Sequence, residues 1–154
     1  MAHLIKPTKN DKTGPAFYWA TFILACLGVL DATYLLVYKL TGNNAMCIGS
    51  GGCHDVNFSS YSEMNGIPVS VFGIIAFLVI AGILLLEPRV KIAEENGSLA
   101  VFGISLVGVA FTAYLTWLEI NVIHAICPFC VATAVIIALI FILAIIRLII
   151  QTAH

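Results

Sequence analysis

Charge is what this sequence lacks most. Asp, Glu, Lys and Arg supply 10% of its 154 residues, where a soluble domain carries about 25%. Seven Lys+Arg and eight Asp+Glu cannot cover the surface of a soluble fold of this size. The net charge of −1 comes without clustered base, which excludes nucleic acid as a partner. Low-complexity tracts and internal repeats are missing too, and nothing reads as disordered, collagenous or coiled-coil. No Rossmann, phosphate-loop or metalloprotease motif occurs. What the chain has is apolar length: 61% of its residues are hydrophobic and the mean hydropathy is +1.06. These quantities describe an integral membrane protein.

A helix needs about 20 predominantly apolar residues to cross roughly 30 Å of hydrocarbon. Four segments reach that length, at about 16–40, 67–86, 99–123 and 129–150. Asp31 is the one acid of the first, Glu119 lies in the third, and Arg147 sits near the far end of the fourth. Lys6, Lys9 and Lys12 before the first segment raise the alternative of a cleaved signal peptide. The segment is longer than the roughly 7–15 apolar residues of such a signal and has no obvious cleavage site, so it reads as a span. Basic residues then set the orientation. Lys6, Lys9, Lys12, Arg89, Lys91 and Arg147 fall on one side, and only Lys39 on the other. The expected architecture is an all-α membrane bundle of four transmembrane helices, a single domain over 1–154 with both termini cytoplasmic. Its outward connections are a loop over 41–66 and a short turn around His124–Pro128, while the inner one, Glu87–Ser98, reads as a plain loop.

That topology gathers four of the five cysteines on the outer face, where a periplasm or an equivalent lumen lets disulfides form. Cys26, mid-span among Leu, Ala and Ile, reads as a buried small hydrophobe. Cys47 and Cys53 lie in the outward loop, Cys127 and Cys130 at the outward turn. Two readings are open: structural disulfides tying short loops, or a relay of exchanging thiols. A lone CxxC discriminates poorly, because zinc and redox sites share it. In Cys127-Pro128-Phe129-Cys130, however, the motif opens a span. Pro128 suits the first helical position, where its missing N–H costs nothing. Cys127 then sits at the cap, where free backbone N–H groups and the helix dipole favour a thiolate. Cys130, three residues on, shares that face one turn deeper. One sulfur thus meets an aqueous or loop partner while the other faces a lipid-soluble oxidant, a grading of depth that a structural disulfide does not need. The C-x5-C spacing of Cys47 and Cys53 leans away from zinc, whose ligand pairs are more commonly C-x2–4-C. Gly49, Gly51 and Gly52 make the intervening loop supple, as a shuttle requires if Cys53 is to reach Cys127. After it, the polar stretch Ser59–Glu63 suits a short amphipathic helix over the bundle mouth.

Together these residues resemble the vitamin K epoxide reductase family. The likeness rests on Cys47 and Cys53 with their glycine- and serine-rich filling, and on Ser59 six residues after Cys53. It rests equally on Gly66-Ile67-Pro68-Val69-Ser70-Val71-Phe72-Gly73 and on Ala125-Ile126-Cys127-Pro128-Phe129-Cys130. The resemblance runs from the first span to the fourth, and implies a four-helix bundle around a quinone pocket beside Cys130. It implies that Cys127 and Cys130 are the active-site pair, with Cys130 passing electrons to a quinone of the ubiquinone, menaquinone or vitamin K type. Cys53 would attack at Cys127, and Cys47 would exchange with an outside thiol protein. Ser59, with Phe72, would line the quinone site. The vertebrate members carry a tyrosine four residues after the second CxxC cysteine and an asparagine just before the Ser-x-Phe-Gly stretch. This chain has Ala134 and Val69 there. Those departures, with a C-x5-C spacing like that of the bacterial branch, favour quinone reduction coupled to disulfide formation over epoxide reduction. The implied location is a bacterial inner membrane, active cysteines on the periplasmic or outer face. The chain reaches His154 without a fused thioredoxin-like domain, so the expected thiol partner is a separate thioredoxin-like polypeptide.

Other polar residues read more plainly. Glu119, about two turns before Cys127, is taken as snorkelling to the interface, with the handling of quinone protons as the alternative, since an ionisable group inside a span is a functional candidate by default. Asp31 admits either a functional role or a pairing with a hydroxyl such as Thr33 or with a neighbouring span. His54 and His124 read as interfacial polar residues, and Trp19, Trp117, Tyr18, Tyr38 and Tyr114 as interface and packing aromatics. Three classes of function stand side by side. The favoured one is a quinone-linked thiol oxidoreductase, with a vitamin K epoxide or quinone reductase proper as its variant. The others are a zinc-binding membrane protein using the four outer cysteines with His54 in reserve, and a structural or transport bundle whose disulfides brace its outer loops.

Overall fold

A computed structural model describes residues 14–42 and 52–153 of the chain. In chain order the elements are helix α1 (Gly14–Thr41), the short helix α2 (Gly52–Asn57), a 3₁₀ turn (Ser60–Ser62), strands β1 (Glu63–Met64) and β2 (Ile67–Pro68), and helices α3 (Val69–Leu86), α4 (Lys91–Leu118) and α5 (Pro128–Thr152). A π-helical turn, Glu119–Ile123, extends α4. α1, α3, α5 and α4 with its extension are each long and apolar enough to cross a membrane. They form the expected four-helix bundle. Helices satisfy their own backbone hydrogen bonds, which hydrocarbon demands of any spanning element.

The faces divide accordingly. Leu30 and Ile149 are 67% and 60% exposed, the mark of side chains turned toward lipid rather than a core. Ala25, Phe77, Ile80, Leu84, Val101, Ile137, Ile140 and Ala144 point inward and form the core with Tyr18. Close approach of α1 and α3 depends on Gly28. A Cβ there would lie 2.5 Å from the Phe77 ring, so a small residue is what lets that ring lie against the helix. Polar groups inside the spans turn back onto the backbone. Tyr18 donates its hydroxyl to Leu84 O at 3.1 Å, satisfying a last-turn carbonyl of α3 that has no helical partner. Thr33 donates to Val29 O at 2.6 Å.

Three local expectations are corrected. The stretch Glu87–Ser98 is not a plain loop, because α4 begins at Lys91 and the reversal is confined to Glu87–Val90. Lys91, Ala93, Glu94 and Glu95 are good helix formers with acids near the N-terminus, and that outweighs Asn96-Gly97. The second span starts at Val69, since Ile67 and Pro68 pair in the hairpin. Cys26 is not buried: Ala25 takes the inward position, and Cys26, a helical step of about 100° round, is exposed on the outer side of α1.

Candidate active site

The site begins where α4 widens. After Leu118 the chain takes the π-helical turn and ends it at His124, in the left-handed region at φ 55. The carbonyl of Glu119 accepts N–H groups from both His124 and Ala125, the latter at 3.1 Å. Its side chain stays inside, 3% exposed, with Oε2 accepting the backbone N–H of Cys127 at 3.3 Å. Glu119 therefore does not snorkel to the interface. The widened turn folds the carboxylate back beneath the start of α5, where it serves as a capping acid supplied by the preceding helix.

At the start of α5, Cys127 is the N-cap with φ −93 and ψ 116, and Pro128 is the first helical residue. The first helical bond runs from Val131 N–H to Cys127 O at 3.1 Å. The Cys127 side chain is 0% exposed. Its thiol is held below the ordinary cysteine value, first by a hydrogen bond from the Cys130 side chain and further by the N–H groups of Cys130 and Phe129, with burial working against them. The Glu119 carboxylate is also electrostatically linked to the neighbouring Cys130 thiol.

Helix α2 brings the second cysteine. Cys53 is 2% exposed and shares one buried cluster with Leu35, Tyr38, Val56 and Cys127. Gly52 is what lets α2 sit so close: a Cβ there would meet Ile126 O at 2.4 Å. Its role is thus close approach to the α5 cap, not the suppleness expected from the glycine-rich spacing. Cys53 is disulfide-bonded, whereas Cys26, Cys127 and Cys130 are free thiols. Cys47, Gly49 and Gly51 lie outside the described residues.

A cavity of about 630 Å³ opens in the bundle, lined from all four long helices. Cys130 lines it, and so does Thr133 one turn further along α5. Cys127 belongs to the buried cluster around α2, against which Cys130 also packs. Of the two, Cys130 alone lines the cavity, so it bridges the cluster and the cavity. Ser59 and Phe72 both line the cavity, as does Val69. Ser59 donates its hydroxyl to Val56 O at 2.8 Å, which leaves its lone pairs free to accept.

The mouth is covered by Tyr61, Ser62 and Met64. The amphipathic helix expected over Ser59–Glu63 is here a 3₁₀ turn running into β1. Asn65 at φ 53 and Gly66 at φ 81 reverse the chain immediately afterwards, too soon for a longer helix. Lys39 fastens this cover to α1, with Nζ 2.6 Å from Ser62 Oγ and 3.0 Å from Glu63 Oε1.

A family model for the Vitamin K epoxide reductase family matches residues 19–145. The chain belongs to this family. It is also 33% identical over 112 residues to the thiol-disulfide oxidoreductase LTO1 of Arabidopsis thaliana, a match covering 69% of this chain and 30% of that protein. The chain thus spans less than a third of the length of the curated relative it matches.

Three residues of this family member's site escaped the sequence reading. Thr133 lines the cavity and donates to Asp31 Oδ2, so the partner of Asp31 is on a neighbouring span rather than Thr33. Its position, three residues after Cys130, was a usable signal, because i and i+3 share a helix face. Asn57 lines the cavity with Nδ2 donating to Cys53 O at 3.1 Å. Lys39 read only as an outward charge. His54, exposed, packs at a tilt against Phe58 with ring centres 4.6 Å apart.

Proposed function

We propose that this chain is a membrane thiol oxidoreductase passing electrons from a thioredoxin-like dithiol, through two cysteine pairs, to a lipid-soluble quinone. Its action supports disulfide formation on the outer face of the membrane. One observation carries the reading: Cys127 is buried beside Cys53 of α2, while Cys130, one turn deeper, opens into the cavity. A relay needs one sulfur in each place.

The cavity residues fit a quinone. Its volume lies within the roughly 300–1,000 Å³ of small-molecule sites, its walls include Phe72, Phe77, Phe111, Leu115 and Ile137, and its lining surface is mainly apolar. When bound, a quinone supplies an acceptor for two electrons and two protons. The chain does the rest. Cys47, paired with Cys53, exchanges with the dithiol of a separate thioredoxin-like partner. The Cys53 thiolate then attacks Cys127, and Cys130 leaves. Cys47 then closes back on Cys53 and releases Cys127, and a thiol held acidic by its surroundings, as Cys127 is, leaves readily. Cys130 delivers the electrons within the cavity, with Ser59 and Phe72 beside the ring. The net reaction is dithiol plus quinone to disulfide plus quinol. Val69, an apolar side chain on the cavity wall, favours this over reduction of a vitamin K epoxide. The whole of 1–154 acts as one such domain, with the cysteine end outward.

The test is anaerobic mixing of the purified protein with a reduced thioredoxin-like dithiol and a short-chain quinone, following quinol. Formation abolished by Cys130→Ala supports the relay's last step. Loss in Cys47→Ala that a small permeant dithiol restores supports Cys47 as the entrance. Absence of quinol from folded wild type overturns the reading, and stoichiometric zinc held by the reduced thiols would replace it.

A further inference from the structure

We infer that Glu119 is the acid–base catalyst of the Cys130 step, taking the Cys130 thiol proton and returning it to the electron acceptor in the cavity. This rests on the quinone reading above.

The geometry is specific. Among the described residues lining the cavity, Glu119 is the one acid. It lines the cavity together with Cys130, whose thiol feels its carboxylate, and Oε2 accepts the Cys127 N–H at 3.3 Å. One carboxylate thus sits against both halves of the CxxC motif. A purely structural account is weak on energetic grounds. Capping one backbone N–H requires only a carbonyl oxygen, which a glutamine would supply without the cost of burying an ionisable group. Lys39, the cation lining the same cavity, is already engaged with Ser62 and Glu63. A proton carrier, by contrast, must be ionisable, buried where water is scarce, and in contact with the group that loses the proton.

The step balances as follows. The S–H bonds of Cys127 and Cys130 break and an S–S bond forms between them, releasing two electrons and two protons. Both electrons pass from the pair to the quinone. Glu119 takes the Cys130 proton and gives it to a quinone oxygen, ending in the state in which it began. The second proton is the one lost by Cys127, exchanged through water at the bundle mouth. The products are one disulfide and one quinol.

Two arms test this with the full chain. In the first, prereduced wild type, Glu119→Gln and Glu119→Asp are mixed anaerobically with a short-chain quinone for a single turnover. Glu119→Gln keeps the oxygen that accepts the Cys127 N–H but cannot carry the proton, and is expected to slow quinol formation about 100-fold or more. Glu119→Asp, which keeps an acid, should recover part of the rate. Wild-type speed in Glu119→Gln, or equal loss in both variants, overturns the inference. The second arm needs no quinone. In a Cys26→Ala, Cys127→Ala background Cys130 is the single free thiol, and its alkylation by N-ethylmaleimide is followed as a function of pH. If Glu119 exchanges its proton with the thiol, the two groups titrate together, so the pH profile of alkylation has two steps in wild-type Glu119 and one in Glu119→Gln. Identical one-step profiles with and without the carboxylate overturn the inference. Wild type that makes no quinol but shows the alkylation effect would sink the quinone reading and leave Glu119 as the base of Cys130.

Discussion

Arg147 holds Glu87 in a two-pronged ion pair at the end of the bundle away from the cysteines, with Nη1–Oε1 and Nη2–Oε2 both 2.9 Å. Glu87 ends α3, where the helix dipole disfavours an acid, and both side chains are largely buried. Fork-on-fork geometry is available to Arg and not to Lys. Arg147→Met strands a buried carboxylate, and about 3–5 kcal/mol of stability should be lost. Arg147→Lys should lose less, and the double variant Glu87→Gln, Arg147→Met should recover most of it. Unfolding titrations in mixed detergent measure the order. Quinol formation per folded molecule should not change, because the pair is remote from the thiols. Equal stability of Arg147→Met and wild type would contradict this account.

Gly52→Ala should damage the relay without touching a sulfur. The added methyl meets Ile126 O at 2.4 Å, and backbone cannot swing aside as a flexible side chain can. Overpacking of this kind costs roughly 1–3 kcal/mol, and relief requires α2 to move off the α5 cap. Cys53 moves with it. Dithiol-driven reduction of Cys127–Cys130 should slow by roughly ten-fold or more, while single-turnover quinone reduction by prereduced protein stays near wild type. Rapid-quench alkylation separates the two steps. Slowing of both equally would mean that α2 does not control the exchange.

Lys39→Met tests the cover over the cavity. Glu63 is 48% exposed on its side chain, so the ion pair is worth at most about 1 kcal/mol. The 2.6 Å bond to Ser62 Oγ is better shielded. Their loss should loosen the 3₁₀ turn and hairpin, and raise the KM for quinone by roughly five-fold with kcat little altered. Added salt should produce a smaller shift of the same sign in wild type. A fall in kcat alone would instead place Lys39 in the chemistry.

Much of this arrangement is legible from residues in a line. Length and hydropathy are local properties, and they located four spans to within a few residues, apart from the α4 start. The cap of α5 was equally readable, because Cys127-Pro128 carries its own helix-start signal. What could not be read depends on how helices turn against each other. Cys26 and Ala25 are neighbours in sequence and face opposite ways, and a span apolar all round shows no favoured face. Glu119 looked like an interfacial acid because nothing local announces a π-helical turn that folds it inward. Glu87 looked like a loop residue because its partner is Arg147, 60 positions on. Charged residues in a membrane chain are cheap to locate and hard to pair, since pairing is a property of packing.

The Cys127 thiol should remain ionised at lower pH than an ordinary cysteine near 8.5. Its thiol is lowered first by the hydrogen bond from Cys130. The sign follows from the charged form being the one stabilised: thiolate persists as pH falls through the usual cysteine value and is lost only below it. Cys130→Ala removes the largest cause and leaves the burial that opposes it, so the midpoint should move upward. Thiolate absorbance in the ultraviolet, titrated on reduced protein and corrected with Cys127→Ala, reads this directly. The consequence for the relay is that Cys127 keeps more thiolate than an ordinary cysteine at the same pH, and so reacts faster. An unchanged midpoint in Cys130→Ala would show that the cap of α5, not the neighbouring sulfur, sets the acidity.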